Sequence, residues 1–351
     1  MKRNIGNVMF AIIVLFFMLV VLPSSGECQQ RGVSIIRQTS NPEGSAIYEM
    51  NVAMAKVAAD NSKKFKVATS TARSVAHCMR LVDSGEAESS YAELYSMKQC
   101  YNNIGAWKIS PQRKKPWGGI WTYTMAFFIV TKAERTDINS LKDLAGKTWN
   151  HGPQASAPPQ VWTEAFKALG IYNSMRVKYT SLSEEPESLI SGVADAILAH
   201  TIMGGRGIAS RAQDLDARCR FKVVQPTDEE WEIIKNKADI TPFYQVETPL
   251  EIYNQKLNVK KARALEFSGG FAFSPDADAD VIYEYTKIMF EHAGALEKIT
   301  PQLKEFKSDG LKLNKNANDV LGKLGIPIHP GVARYLKEIG AWNKNWIEGK
   351  K

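Results

Sequence analysis

The run YTMAFFIV at residues 123–130 constrains this chain more than any other feature. It is apolar at odd and even positions alike, so a strand formed there has no face to give to water. It must lie inside a sheet covered on both sides. Sheets of that kind are assembled from strand–helix units with helices packed on both faces.

The flanking sequence supplies such units. Residues 34–39 read as a strand, Asn41, Pro42, Glu43, Gly44 and Ser45 as a tight loop, and Ile47, Met50, Met54 and Val57 as the apolar stripe of a helix. The pattern returns at once: residues 65–71 are extended, Ser74 is placed to cap a helix with the stripe Val75, Cys78, Met79 and Val82, and Gly85 stops it. Beyond residue 130 a second series begins. Strands are expected at 147–150, 176–182, 195–200 and 221–224, and helices at 158–169, 187–191, 205–212 and 228–236. Residues 264–273 are again extended, and helices follow at 276–292, 295–306, 317–324 and 332–339. The economical arrangement is two α/β units. The chain enters the second after residues 123–130, returns along 264–273 and finishes on the first, and the two crossings form a hinge. In open sheets, small ligands collect where helix N-termini converge on the carboxyl ends of strands.

The N-terminus sets the compartment. Lys2 and Arg3 precede an apolar run at 8–22 that ends at Pro23, Ser24, Ser25 and Gly26, the pattern of a secretory signal cleaved after Gly26. The run is shorter than the roughly 20 residues of a comfortable membrane span, so membrane anchoring is expected only if the leader is retained. Lipid attachment at Cys28 would want a small residue where Glu27 stands. The expectation is a periplasmic protein, in a space where disulfides form. The four cysteines, Cys28, Cys78, Cys100 and Cys219, have no zinc-site spacing. Cys78 falls on a helix stripe and reads as a buried thiol; a bridge from Cys78 to Cys100 would close the shortest loop.

Charge and motifs exclude other classes. The formal charge of +8 includes Lys2 and Arg3 of the leader, and the one compact basic cluster, Arg113, Lys114 and Lys115, is too small for a nucleic-acid groove. A chain with 44% hydrophobic and 10% aromatic residues folds around cores. No GxSxG, HExxH, P-loop or GxGxxG motif occurs. Ser45 or Ser156 beside His151 or His200, as nucleophile and base of a secreted hydrolase, is the lesser rival reading; no enzyme, no cofactor and no metal are expected.

Three stretches carry a resemblance: SLKDLAGKTWNHGPQAS from Ser140, GVADAILAH from Gly192 and GIPIHPGVARYLKEIGAW from Gly325, joined by EGSAIYEMNVAMAKVA in the first loop and helix. Together they resemble the TAXI family, the solute-binding subunits of tripartite ATP-independent periplasmic (TRAP) transporters. The resemblance implies a type 2 periplasmic binding protein fold: two α/β lobes joined by a two-strand hinge, with a helical C-terminal end. The parts would be a signal peptide at 1–26, lobe 1 at 27–128 and 264–351, and lobe 2 at 129–263. It further implies a monomer that closes on one small carboxylate or amino acid and delivers it to TRAP membrane subunits, without a cofactor or nucleic acid. The same lobes reporting to a membrane signalling protein are the main rival.

The resemblance also implies site residues. Gly44, Ser45 and Tyr48 stand where the family has backbone donors and an aromatic contact. Arg73, Ser74 and Val75 stand at its second, usually small-residue turn, where Arg73 is a departure able to pair with a carboxylate. Tyr91 and Glu93 replace small or amide residues, and a carboxylate there argues for an amino acid or zwitterion. Ser156 is kept, while Ala155 and Ala157 replace glycines. His200, Thr201 and Phe243, with Tyr244, are the expected second-lobe contacts. His329, ahead of Pro330 and Gly331, reads as the cap of the last helix or as part of a permease-docking surface.

Overall fold

The computed structural model describes residues 33–350 except Gly44, Pro153, Ala155, Leu182 and Ala209. The leader, Cys28, Gly44 and Ala155 therefore lie outside the described residues. The first units are β1 (Ser34–Ser40), α1 (Ala46–Asn61), β2 (Phe65–Thr71), α2 (Val75–Ser84), β3 (Ser89–Glu93) and α3 (Leu94–Asn102), followed by β4 (Trp117–Lys132). Next come β5 (Thr148–Asn150), α4 (Ala157–Ala168), β6 (Arg176–Lys178), α5 (Glu185–Ile190), β7 (Ile197–Ile202), α6 (Ser210–Arg218), β8 (Phe221–Val223) and α7 (Asp228–Lys237). The chain ends with β9 (Tyr244–Pro249), β10 (Lys261–Phe273), α8 (Ala279–Glu291), α9 (Ala293–Ile299), α10 (Lys304–Lys323) and α11 (Pro330–Glu338).

Local chemistry explains the boundaries. The Ser45 and Ser74 hydroxyls accept the Tyr48 and His77 amides, capping α1 and α2, and Gly85 closes α2 at φ 79°, a left-handed conformation that suits glycine. Thr227 and Glu230 form a reciprocal capping box at the start of α7. His329 caps α11 by accepting the Gly331 amide on Nδ1, so this motif fixes the last helix.

The main sheet runs β2-β1-β3-β10-β4-β7, with β8 added to β4 and β9 to β10. β1 is parallel to β2 and β3, while β10 is antiparallel to β3, β4 and β9. The parallel pair β5–β6 meets β7's end through a bridge between Trp149 and Ala196. The two lobes therefore repeat one order, β2-β1-β3-β10-β4 in the first and β6-β5-β7-β4-β10 in the second. The crossing strands exchange roles between them. β4 gives Ile120, Trp121 and Tyr123 to the first core, then Phe127 and Ile129 to one face of the second lobe and Ala126, Phe128 and Val130 to the other. Where the crossing strands approach, a Cβ on Gly119 would stand 2.0 Å from the Phe271 carbonyl oxygen, and one on Gly270 2.2 Å from that of Ile120. Only glycine fits at such distances.

Past a bridge from Gly118 to Ile328, this order leaves the first-lobe edge of β4 without a neighbouring strand among the described residues, and α10 satisfies it. Asn314 Oδ1 accepts the Trp121 amide at 2.9 Å while its Nδ2 donates to the Trp121 carbonyl at 2.8 Å. Glu305 accepts the Thr124 amide at 2.7 Å. From Met125 onward β7 takes over the ladder.

Several expectations need correction. The helices expected at 295–306 and 317–324 give way to a short α9 and a continuous 20-residue α10, split by the Thr300–Pro301 turn. Gly310 stays inside α10 because the Phe306 ring would lie 3.2 Å from any Cβ there. β6 stops at Lys178 and β7 runs on to Ile202. The helix expected at 205–212 starts only at Ser210, since Met203, Gly204 and Gly205 turn the chain with positive φ. β9 was not anticipated: YQVETP is too polar to announce itself. Cys78 and Cys100 are buried free thiols rather than a bridge, and Cys100 Sγ lies 3.4 Å from Gln112 Oε1.

Candidate functional site

Strand alternation gives the crossing two faces. Phe127, Leu265 and Phe267 pack with α4 and α7 on the front, whereas Ala126 and Ala264 join the core on the rear. The ends of β1, β2 and β3 lie together, in register Ser40 with Thr71 and Thr39 with Ser90, so the N-termini of α1, α2 and α3 share one rim of the first lobe.

On that rim Ser45 has its hydroxyl committed to the turn, donating to the Pro42 carbonyl at 2.7 Å, and Tyr48 is half-buried one turn along. Ser74 is exposed at the start of α2, and Val75 packs against the first core. Arg73 is exposed and has no ion-pair partner among the described residues. Its guanidinium remains available to an anion.

Tyr91 and Glu93 are brought together. The Tyr91 hydroxyl donates to Glu93 Oε1 at 2.7 Å and shares a hydrogen bond with the hydroxyl of Tyr123. Glu93 precedes α3 but makes no cap; it turns inward instead, and burial pushes its carboxyl above the ordinary range. It keeps some accessible surface. It is therefore not a solvated surface residue.

In the second lobe, Ser156 starts α4 without using its hydroxyl as a cap, and lines a space of about 10 Å³ with Phe127, His151, Glu185, Leu198 and Arg211. That is room for about one water. Arg211 pairs with Glu185, whose carboxyl burial pushes up to about 7, and stands 3.3 Å from His200 Nδ1. His200 is buried, stacked on Phe127 with ring centroids 5.3 Å apart, and burial drives its pKa down to about 3 with the Arg211 charge adding to the effect. It stays neutral at physiological pH. Thr201 points to the rear, where its hydroxyl meets that of Thr248 at 2.6 Å. Phe243 packs between Phe267 and Tyr95 in the front core. Among the described residues no group of three or more His, Cys, Asp or Glu is placed to hold a metal, and no helix is long and apolar enough to cross a membrane.

Sequence reasoning missed the groups that join the lobes. Tyr95 on α3 donates to Gln160 on α4, and Lys98 reaches Asp239 at 3.0 Å and the Thr241 carbonyl at 2.6 Å. Arg211, Glu185 and Tyr123 were missed as well; no local motif marks them, since only the fold brings them to the front. A larger space, about 600 Å³, lies on the rear of the crossing between α10 and β9.

Two lobes built on one strand order, sharing both crossing strands and presenting helix N-termini at a seam, define a hinged α/β protein. The chain belongs to the NMT1-like family, whose sequence profile matches residues 39–340. No curated protein matches the chain. Among solved structures it is similar to a TctC solute-binding protein from Polaromonas, at 9% identity, covering 83% of this chain and 99% of that one with a TM-score of 0.48. It is also similar to the probable amino-acid ABC transporter extracellular-binding protein YtmK from Bacillus subtilis, at 13% identity, 77% and 97% coverage and a TM-score of 0.46. A third is the periplasmic aliphatic sulphonate binding protein SsuA from Escherichia coli, at 10% identity, 87% and 83% coverage and a TM-score of 0.42. Likeness at this level assigns no role to any residue.

Proposed function

We propose that this chain is a periplasmic solute-binding protein of the TAXI type, which captures a small carboxylate or amino acid between its lobes and delivers it to a TRAP membrane permease. The parts are a leader at 1–26, lobe 1 at 27–128 and 264–351, and lobe 2 at 129–263. The observation that carries the reading is the hinge: among the described residues the two lobes share only β4 and β10 as continuous strands, so a ligand touching both rims closes them by rotation about that pair.

In this reading Arg73 pairs with the solute carboxylate, the loop of Gly44, Ser45 and Tyr48 and the α2 start at Ser74 and Val75 shape its pocket, and the Tyr91–Glu93 pair meets an ammonium or hydroxyl. Ser156 contributes a hydroxyl from the second rim and His200 a neutral wall. The position of Thr201 on the rear and the packing of Phe243 in the front core give them supporting roles. The upward push that burial gives the Glu93 carboxyl lessens the repulsion that would otherwise disfavour an acidic solute.

The test is a thermal-shift screen of the purified mature protein against dicarboxylates, amino acids and sulfonates, followed by Arg73→Ala. A ligand at a hundred times its Kd stabilises by about 2.7 kcal/mol. Arg73→Ala should weaken a carboxylate hit at least about tenfold without lowering the melting temperature of the free protein. A hit whose Kd is unchanged by the substitution removes Arg73 from the site, and a screen without any carboxylate or amino-acid hit removes the solute class.

A further inference from the structure

The rear cavity is no part of the rims discussed above. Its volume of about 600 Å³ falls in the usual range of small-molecule sites, and α10 of the first lobe and β9 of the second form its walls. Two carboxyl groups from different elements reach it, Glu266 from β10 and Glu305 from α10. Glu266 is 9% exposed and Glu305 5% exposed. Neither has an ion-pair partner among the described residues; Arg206, the guanidinium at the mouth, is engaged with Asp309. Buried carboxyls normally have a cation or a metal beside them, because an uncompensated charge in the interior is costly. Here the Glu305 oxygens accept only uncharged donors, the Thr124 amide and hydroxyl, and the cavity of about 600 Å³ lies beside both carboxyls. The ring of Tyr244, half-buried on β9, supplies an aromatic wall of the kind that suits an organic cation.

We propose that this cavity is a second ligand site, which takes a small organic ammonium ion with its charge held between Glu266 and Glu305.

The electrostatics are consistent with such an occupant. Burial pushes the Glu305 carboxyl up to about 7, and the neighbouring Glu266 adds to the rise; Glu266 is itself raised by burial. The other groups facing the pair are the Tyr244 hydroxyl, Arg206 from the turn after β7, and Asp309 and Lys312 on α10. Both shifts favour the protonated forms. An ammonium ion displaces those protons to solvent, so its affinity should rise with pH through 7.

The experiment is isothermal titration calorimetry of the mature protein with putrescine and with n-butylammonium, using 1-butanol as the uncharged control. At least one amine should bind saturably below millimolar concentration, more tightly at pH 8 than at pH 6, and with proton release revealed by a dependence of the heat on the buffer's ionisation enthalpy. Glu266→Gln and Glu305→Gln should each weaken it at least about thirty-fold, about 2 kcal/mol at 1.4 kcal/mol per tenfold. Should either variant fail to fold, Asn316→Trp, on an exposed position of α10 at the cavity, should abolish binding by obstruction. Arg73→Ala should leave amine binding unchanged, which separates this site from the solute rims. The inference is overturned if neither amine binds, if 1-butanol binds equally well, if affinity is unchanged by the Gln and Trp variants, or if Arg73→Ala removes it.

Discussion

Glu305 offers the sharpest test of the physical account, because one carboxyl performs two opposed tasks. It accepts the Thr124 amide and hydroxyl, at 2.7 and 2.9 Å, and so closes the open edge of β4. It also sits buried near Glu266, which raises its pKa from 4.5 to about 7. A folded-state pKa above the unfolded value means that the native protein binds more protons between those limits. Stability contributed by Glu305 is then fully present below pH 4.5 and is lost as pH rises through 7. Two and a half pK units at 1.36 kcal/mol each give about 3 kcal/mol for the loss. In Glu305→Gln the amide oxygen still accepts the Thr124 amide and the amide nitrogen donates to the Thr124 hydroxyl, reproducing the protonated form at every pH. Urea unfolding at pH 5, 6, 7 and 8 should find the two proteins within about 1 kcal/mol of one another at pH 5, and the variant more stable by about 2–3 kcal/mol at pH 8. A difference that does not change with pH would refute the reasoning, as would a variant that becomes relatively weaker at pH 8.

Asn314→Leu should cost about 2–5 kcal/mol in the same assay, because it strands the Trp121 amide and carbonyl at a buried edge, each worth about 1–3 kcal/mol; a loss below 1 kcal/mol would mean that water reaches that edge. His200 acts in the opposite sense to Glu305. Its pKa falls from 6.5 to about 3 on folding, so stability is lost as pH drops below 6.5, by about 2 kcal/mol at pH 5. His200→Gln should flatten that part of the pH–stability curve whatever it costs in packing, and equal slopes in variant and parent would place His200 in contact with water.

The elements that were legible in the sequence are those whose signals are local. Ser45, Ser74 and Gly85 fixed the ends of α1 and α2 because caps work through neighbours three or four residues away. The two-faced apolar run correctly marked a central strand, though only half of β4, toward its C-terminal end; its first residues, Trp117, Gly118 and Gly119, interrupt the pattern because glycine is needed where Leu321 of α10 meets position 118 and where β10 meets position 119. β9 was missed because an edge strand gains little from apolar side chains. The site divides in the same way. The loops carrying Ser45, Ser74 and Ser156 are helix starts and can be read as such. The inward turn of Glu93 and the association of Arg211 with Glu185 and His200 depend on packing between elements far apart in the chain.

The position of β10 has a bearing on how the chain reaches its folded state. β10 lies between β3 and β4, two strands that precede it by well over a hundred residues, and it holds them apart in the finished sheet. Until residues 261–273 arrive, the first 132 residues have a gap through their middle and cannot complete either core. The two halves therefore mature together rather than in turn. Truncation anywhere before Phe273 should leave an unassembled polypeptide, not a smaller working lobe.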